Sequence, residues 1–177
     1  MSFLAMDPST ESIRTDIAAL LPRLRRFALS LTANRADADD LVQDTVERAL
    51  RHLHQWQRGT KLDSWMFRIA QNLWIDQKRA RRVREIVVDD PEAAAAAAVD
   101  GARDAESKLV FADMVRAFAE LPEDQRVVTA LVLVDGMSYR EAADVLNVPI
   151  GTVTSRLARA RVALAARVYG EEGAKVV

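Results

Sequence analysis

The chain has 177 residues, of which 50% are hydrophobic and 29% are charged, a balance typical of one ordinary globular domain or two small ones. Cysteine is absent, which excludes disulfides, thiolate zinc sites, iron–sulfur clusters and a cysteine nucleophile. The sequence shows neither an apolar run of roughly 18 residues nor a signal-peptide pattern, so we expect a cytoplasmic protein without a membrane span. The formal net charge of −1 conceals a basic block, since residues 51–84 carry nine basic and two acidic residues, and residues 85–106 carry one and seven. A polyanionic partner would interact with this basic block and not with the average charge of the chain.

Helical periodicity predicts an all-α fold, because strand-like alternation and hairpin turn pairs are missing. In the first half of the chain we expect helices over about 16–33, 37–54 and 62–82. Pro22 lies inside the first of these, so that helix is expected to kink or to begin there.

Residues 85–105 form an acidic, alanine-rich stretch with few large apolar side chains, which predicts a linker. We therefore predict two small helical domains, at 10–84 and 106–170, that fold as separate units. If they packed together unaided, contact between the two domains would be the better account of how binding to a partner is held off.

Beyond the linker we expect helices over 106–120, from Pro122 to Val134, from Tyr139 to Leu146 and from about 151 to 168. Proline suits the first position of the second of these helices. Ser138 and Glu141 form a capping box for the third, and Thr152 is expected to cap the last.

Two short helices joined by a tight turn, at 139–146 and from about 151, are the layout of a helix-turn-helix. At about 100° per residue, the second helix places Val153, Leu157, Ala160 and Leu164 on one apolar face. Small polar and basic side chains occupy the other side, as expected for a helix that enters the major groove of DNA. The alternative is a surface helix with ordinary arginines.

Three stretches resemble sigma factors of bacterial RNA polymerase, of the small extracytoplasmic-function (ECF) type. DADDLVQDTVERAL resembles the polymerase-clamp helix of that family, LDSWMFRIAQNLWIDQKRARR its promoter-melting helix, and SYREAADVLNVPIGTVTSRLARAR its upstream-element helix-turn-helix. They follow the family's order, and the resemblance covers about residues 14–168. QRGTKLDSWMFRIAQN is also similar to the alphaproteobacterial general-stress subgroup.

The resemblance implies three sets of contact residues. The positions that match the contact with the polymerase β′ clamp are Asp40, Gln43, Asp44 and Glu47. Those that match the downstream promoter element are Trp56, Arg58, Lys61, Arg68, Asn72, Lys78, Arg79, Arg81 and Arg82. Those that match the upstream element are Tyr139, Arg140, Thr154, Ser155, Arg156, Ala158, Arg159 and Arg161. Without the flanking motifs, the acidic face at 40–47 would be interpreted as an ordinary solvated surface.

We expect a different environment for each of the three tryptophans in the first half of the chain. Trp65 shares a stripe with Ile69 and Leu73 and is expected in the core. Trp74 lies half a turn away from Trp65 around the helix, so it is free to contact DNA, the other domain or an inhibitor. Trp56 fits a core plug and a base contact equally well.

The resemblance implies a dissociable specificity subunit whose partners are core RNA polymerase (β′ clamp and β subunits), promoter DNA and an anti-sigma factor. We expect no enzyme activity, cofactor, metal or small-molecule substrate, because no nucleophile motif, phosphate loop or metal-ligand cluster occurs. Two alternatives stay open. One is a helix-turn-helix regulator that does not replace sigma, and the other is a sigma mimic that sequesters an anti-sigma factor.

Overall fold

The computed structural model describes residues 8–57, 59–87 and 114–173, and the side chains of 12–57, 59–83 and 114–167. Within these ranges the chain is helical and contains no strand, as the sequence predicts. Apart from residues 85–87, which end a helix, the predicted linker lies outside the described residues. The first part of the helix expected at 106–120 lies outside them too.

The N-terminal bundle consists of α1 (Pro8–Thr32), α2 (Arg35–Arg51) and α3 (Leu62–Val87), with a short 3-10 turn at Leu53–Gln55. Helix α1 continues through Pro22, so the helix does not begin there. The Asn34 side chain caps α2 by accepting a hydrogen bond from the Asp37 backbone N–H at 3.1 Å. Phe27 and Phe67 meet edge to face, 5.1 Å apart, and join α1 to α3.

The C-terminal bundle consists of α4 (114–119 in the described range), α5 (Glu123–Thr129), α6 (Tyr139–Leu146) and α7 (Ile150–Gly173). The helix predicted from Pro122 to Val134 changes its hydrogen bonding after α5. A π-helical turn occupies Ala130–Val134, where the Asp135 backbone N–H donates to the Ala130 carbonyl at 3.0 Å. Gly136 ends the segment with a φ of +80°, a conformation that favours glycine.

The helix-turn-helix is formed by α6 and α7. The capping box at the start of α6 is present, with the Glu141 N–H donating to the Ser138 hydroxyl and the Ser138 N–H donating to the Glu141 carboxylate. The predicted capping role of Thr152 is wrong, because α7 begins at Ile150. The Pro149 carbonyl accepts the Thr152 N–H at 2.9 Å, which places Thr152 in the first helical turn.

One hydrophobic core runs through both bundles. Helix α1 contacts the π-helical turn and α5, and α3 contacts α6. The core therefore joins side chains of α1 and α3 to side chains of α5, α6 and α7, and it fixes the position of one bundle against the other.

Candidate polymerase and nucleic-acid interfaces

The residues predicted to contact the polymerase lie together on the exposed side of α2. Its other side is buried in the core through Ala38, Leu41 and Thr45. Along this exposed side, Gln43 donates to Glu47 at 3.0 Å. Asp44 accepts from Gln77 of α3 at 3.1 Å. The result is an accessible acidic face on a rigid helix; Asp40 and Gln43 are both exposed on it.

Helix α7 divides as its angular pattern predicts. Val153, Leu157 and Ala160 are buried, and Leu164 is half-buried. The exposed side carries Thr154, Ser155, Ala158, Arg159 and Arg161.

Other residues of the predicted upstream set are placed differently. Arg156 is only partly exposed and forms an ion pair with Asp124 of α5 at 3.0 Å. On α6, Arg140 is exposed, whereas Tyr139 is half-buried and packs against the core. The exposed face of α7 therefore holds most of this set, and α6 lies beside it.

The residues predicted to contact the downstream element lie along α3 and in the loop before it. Asn72 and Arg79 line one shallow cleft on α3 together with Arg48 of α2. Lys78 is half-buried, and Arg81 forms an ion pair with Asp37 at 3.1 Å. Arg58 lies outside the described residues.

The loop residue Trp56 is half-buried, and its indole N–H is buried without a hydrogen-bond partner within the described protein. A larger cleft is lined on one side by this loop, including Trp56 and Lys61, and on the other by α6, including Arg140 and Glu141. The loop of the N-terminal bundle therefore faces the helix-turn-helix across a cleft.

Three basic side chains of the predicted downstream set reach across to the C-terminal bundle. Lys61 forms an ion pair with Glu141, and Arg82 forms one with Glu123 at 2.8 Å. Arg68 donates to the backbone carbonyl oxygens of Val145, at 3.1 Å, and of Asp144, near the end of α6.

The ion pair between Lys61 and Glu141 changes the proton affinity of both groups. The Lys61 ammonium, aided by hydrogen bonds from Ser138, lowers the pKa of Glu141 from its ordinary 4.5 to about 2. The same contact raises the pKa of Lys61. Both groups are therefore charged at neutral pH, and the ion pair is intact there.

The guanidinium of Arg23 in α1 connects the two bundles. It donates two hydrogen bonds to Asp135, at 3.0 and 2.7 Å, and a third to Asp63 at 3.1 Å. The Asp135 side chain is only 1% exposed, so its charge is balanced almost entirely by Arg23. These contacts raise the pKa of Arg23, with the hydrogen bond to Asp135 as the main cause.

Arg126 of α5 makes a second buried connection. Its guanidinium donates to the Leu31 carbonyl of α1 at 3.0 Å, to the carbonyl of Ala119, the last residue of α4, and to the Leu121 carbonyl just beyond that helix. It thus caps helix ends in both bundles, where carbonyl oxygens lack partners and the helix dipole is negative. Burial lowers the pKa of Arg126.

The indole of Trp74 covers this cation, with the guanidinium carbon 5.7 Å from the ring centroid. Of the contacts that the sequence allows for Trp74, the structure shows the one with the other half of the chain. Trp74 is buried, whereas Trp65 is half-buried and packs at the edge of the core. The contacts of Arg23, Arg126, Asp63 and Asp135 could not be predicted from the sequence, because no local pattern marks a pairing between residues so far apart in the chain.

The described residues hold no group of acidic or histidine side chains arranged for a metal ion. No helix in the described part of the chain is long and apolar enough to cross a membrane.

A tri-helical bundle with an acidic helix and a basic helix, joined to a helix-turn-helix bundle, defines a transcription initiation factor of the sigma-70 class. The family model for sigma-70 region 2 matches residues 17–84, and that for sigma-70 region 4 matches residues 111–164. An ECF RNA polymerase sigma factor, EcfG of Rhodopseudomonas palustris, is 41% identical over 92% of this chain and 88% of its own length. The chain belongs to the ECF sigma factor family.

Two solved structures are similar over both bundles. The sigma factor RpoE of Bartonella quintana, in complex with the anti-sigma factor NepR, has a TM-score of 0.76 and 32% identity, covering 89% of this chain and 97% of its own. CnrH, in complex with the cytosolic domain of CnrY, has a TM-score of 0.68 and 27% identity over 90% and 88%.

Proposed function

We propose that this sigma factor binds core RNA polymerase through the exposed face of α2 and recognises promoter DNA through α3 and α7. The observation that carries the proposal is the division of α7, whose apolar side is buried while Ser155, Arg159 and Arg161 stay accessible. Side chains of this kind reach base edges and phosphates when a helix enters the major groove.

For the downstream element we propose that α3 and the preceding loop hold the opened strand. Strand opening needs an aromatic surface that replaces base stacking and cations that hold phosphates. Trp56 and Lys61 supply both kinds in one cleft, and Asn72 and Arg79 lie together in a second cleft on α3. The polymerase, and not this chain, would supply the catalytic chemistry, so the chain acts as a specificity subunit in the cytoplasm.

We further propose that an anti-sigma protein controls this factor in a stress response. One of the similar structures is described as a complex with an anti-sigma factor, and the other as a complex with the cytosolic domain of CnrY. The resemblance of residues 57–72 to the general-stress subgroup supports this role. The exposed arginines of α7 favour a sigma factor over a sigma mimic, since a mimic has no need of DNA-facing cations.

Run-off transcription with core polymerase and a genomic promoter library tests the proposal. We expect specific transcripts with the wild-type chain, and weaker binding to core for Asp40→Arg combined with Gln43→Ala. Asp16→Arg, an exposed charge reversal on α1, is the matched control and should bind normally. Absence of any specific transcript would contradict the promoter role, and normal core binding by the double variant would remove the contact on α2.

A further inference from the structure

We propose that Arg48 of α2 contacts promoter DNA, and that it completes a site between α2 and α3 for one unpaired nucleotide of the opened downstream strand. The inference rests on the proposed function, because the DNA-facing role of α3 comes from there. It adds a DNA contact on α2, the helix whose exposed acidic side is the proposed polymerase interface and which carries none of the DNA contacts predicted from the sequence.

The cleft between α2 and α3 has the size and the lining of a nucleotide site. Its volume is about 360 Å³, near the lower end of the ~300–1,000 Å³ typical of small-ligand pockets, which suits one nucleotide and not a duplex. The lining combines two apolar side chains with four polar ones, namely Ile69, Ile75, Arg48, Asn72, Asp76 and Arg79. An unpaired base needs both kinds of surface, because it has lost its stacking partners and its hydrogen-bonding edge is open.

The two guanidinium groups of this cleft have free donors. Arg48 and Arg79 are exposed, and neither forms an ion pair with another residue that the structure describes. In contrast, Lys61, Arg81 and Arg82 are each paired with a carboxylate. Two like charges that line one cleft repel each other, and a phosphate that accepts hydrogen bonds from both relieves this repulsion. The cleft therefore keeps its cations available for a phosphate group.

Asn72 and Asp76 supply the groups that hold a base edge. They lie four positions apart on α3, so both project from one side of that helix. The amide of Asn72 donates and accepts hydrogen bonds, whereas the carboxylate of Asp76 accepts them and repels phosphate. We therefore expect the phosphate at the two arginines and the N–H donors of the base at Asn72 and Asp76.

Arg48 directly follows a residue of the proposed polymerase interface. Glu47 and Arg48 diverge by about 100° around α2. Glu47 accepts a hydrogen bond from Gln43 on the acidic side, whereas Arg48 lines the cleft with α3. Because a third side of α2 is buried in the core, one rigid helix would hold the polymerase on one side and the opened strand on another.

Holoenzyme assembled from core polymerase and the full chain tests the inference. One DNA probe is a fluorescent single strand with the non-template sequence of a downstream element, from a promoter found by run-off transcription, and the other is a duplex of its upstream element. For the single strand, Arg48→Ala should lower the affinity about tenfold, because a charge-assisted contact is lost. It should also reduce the slope of log affinity against log salt by about 0.7, the value for one phosphate contact. Affinities for the duplex and for core should not change.

The matched control is Arg51→Ala, because Arg51 is an exposed arginine of the same helix that does not line the cleft. Its affinity and salt slope should equal those of wild type. Arg48→Lys keeps the positive charge and should restore most of the slope. Circular dichroism of each variant checks that helix content is retained.

Single strands that lack one base at a time identify the base in the cleft. Removal of that base should lower the affinity of the wild-type holoenzyme and of Arg48→Ala alike. In Asn72→Ala the same removal should have no further effect, because the side chain that holds the base edge is already absent.

Three results would overturn the inference. They are an unchanged salt slope in Arg48→Ala, an equal loss of affinity in Arg51→Ala, and a loss of core affinity in Arg48→Ala that matches its loss for DNA. Run-off transcription by the same holoenzymes separates this inference from the proposed function. Specific transcripts from wild type, combined with wild-type DNA affinity in Arg48→Ala, contradict only the role of Arg48. Absence of any specific transcript from wild type contradicts the proposed function, and the inference with it.

Discussion

The proposed DNA-binding surfaces of α3 and α7 differ in what covers them. On α7 the exposed side, with Ser155, Arg159 and Arg161, lies open. On the α3 side, Lys61, Arg68 and Arg82 are directed at oxygens of the C-terminal bundle. The two surfaces have similar chemistry and differ only in their position relative to the other bundle. In this conformation, therefore, the proposed upstream surface is accessible, whereas cations of the proposed melting surface are occupied.

The largest expected effect comes from breaking the buried connection that keeps the two surfaces in this relation. Arg126→Leu leaves three carbonyl oxygens without their donor at helix ends. We expect a loss of about 3 kcal/mol in the free energy of unfolding, measured by urea denaturation. Arg26→Leu, at an exposed position of α1, is the control and should cost far less. Equal losses for the two variants would show that the capping contacts add nothing.

The open surface of α7 is tested by promoter preference. Ser155→Ala and Arg159→Ala should each change the preferred base at particular positions, with a loss of about 1–3 kcal/mol for a specific contact. Arg161→Ala should weaken all promoters alike and reduce the salt dependence of binding. Competition binding of the polymerase complex to promoter variants gives both quantities. If all three substitutions shift every promoter equally, the assignment of α7 faces is wrong.

A smaller effect is expected at the start of α6, the helix that supplies oxygens to Lys61 and Arg68. Ser138→Ala removes the side chain that accepts the Glu141 N–H. The loss of one helix cap should cost about 1 kcal/mol in urea unfolding. Ser12→Ala, at an exposed position of α1, should have almost no effect. Comparable values for the two variants would mean that the capping box is not formed in solution.

The smallest expected effect is a pH dependence of folding stability that arises from Glu141. Because the pKa of Glu141 falls from 4.5 to about 2 in the folded chain, its carboxylate favours the folded form above pH 4.5. That contribution is lost as the pH falls through 2. Glu141→Gln keeps the capping geometry and removes the charge. At pH 6 we expect wild type to be slightly more stable than this variant. The difference should be small, because the ion pair between Lys61 and Glu141 is solvent-exposed and screened.

The difference between wild type and Glu141→Gln should shrink as the pH falls from 4.5 towards 2. Denaturation curves of both proteins across this range provide the measurement, and subtraction removes the titration of the other carboxylates. A difference that does not change with pH would exclude the ion pair between Lys61 and Glu141.

The sequence by itself determined the helices, the helix-turn-helix and the faces of α2 and α7. Each depends on residues within a few turns: the 3.6-residue period, the Ser138–Glu141 capping box and the Asp135-Gly136 stop. The π-helical turn after Thr129 could not be predicted from local pattern, because its apolar residues suit an ordinary α-helix equally well.

Only the tertiary structure decided which tryptophan is buried and which cations are occupied. Trp74 shares the buried face of α3 with Phe67 and Ala70, where Arg126, 52 positions further along the chain, packs on its ring. The stripe expected in the core from the sequence, with Trp65, is only half-buried. Arg23 and Asp135 likewise carry no local signal of each other. Contacts between residues so far apart depend on how two bundles meet, and the period of a single helix contains no information about that meeting.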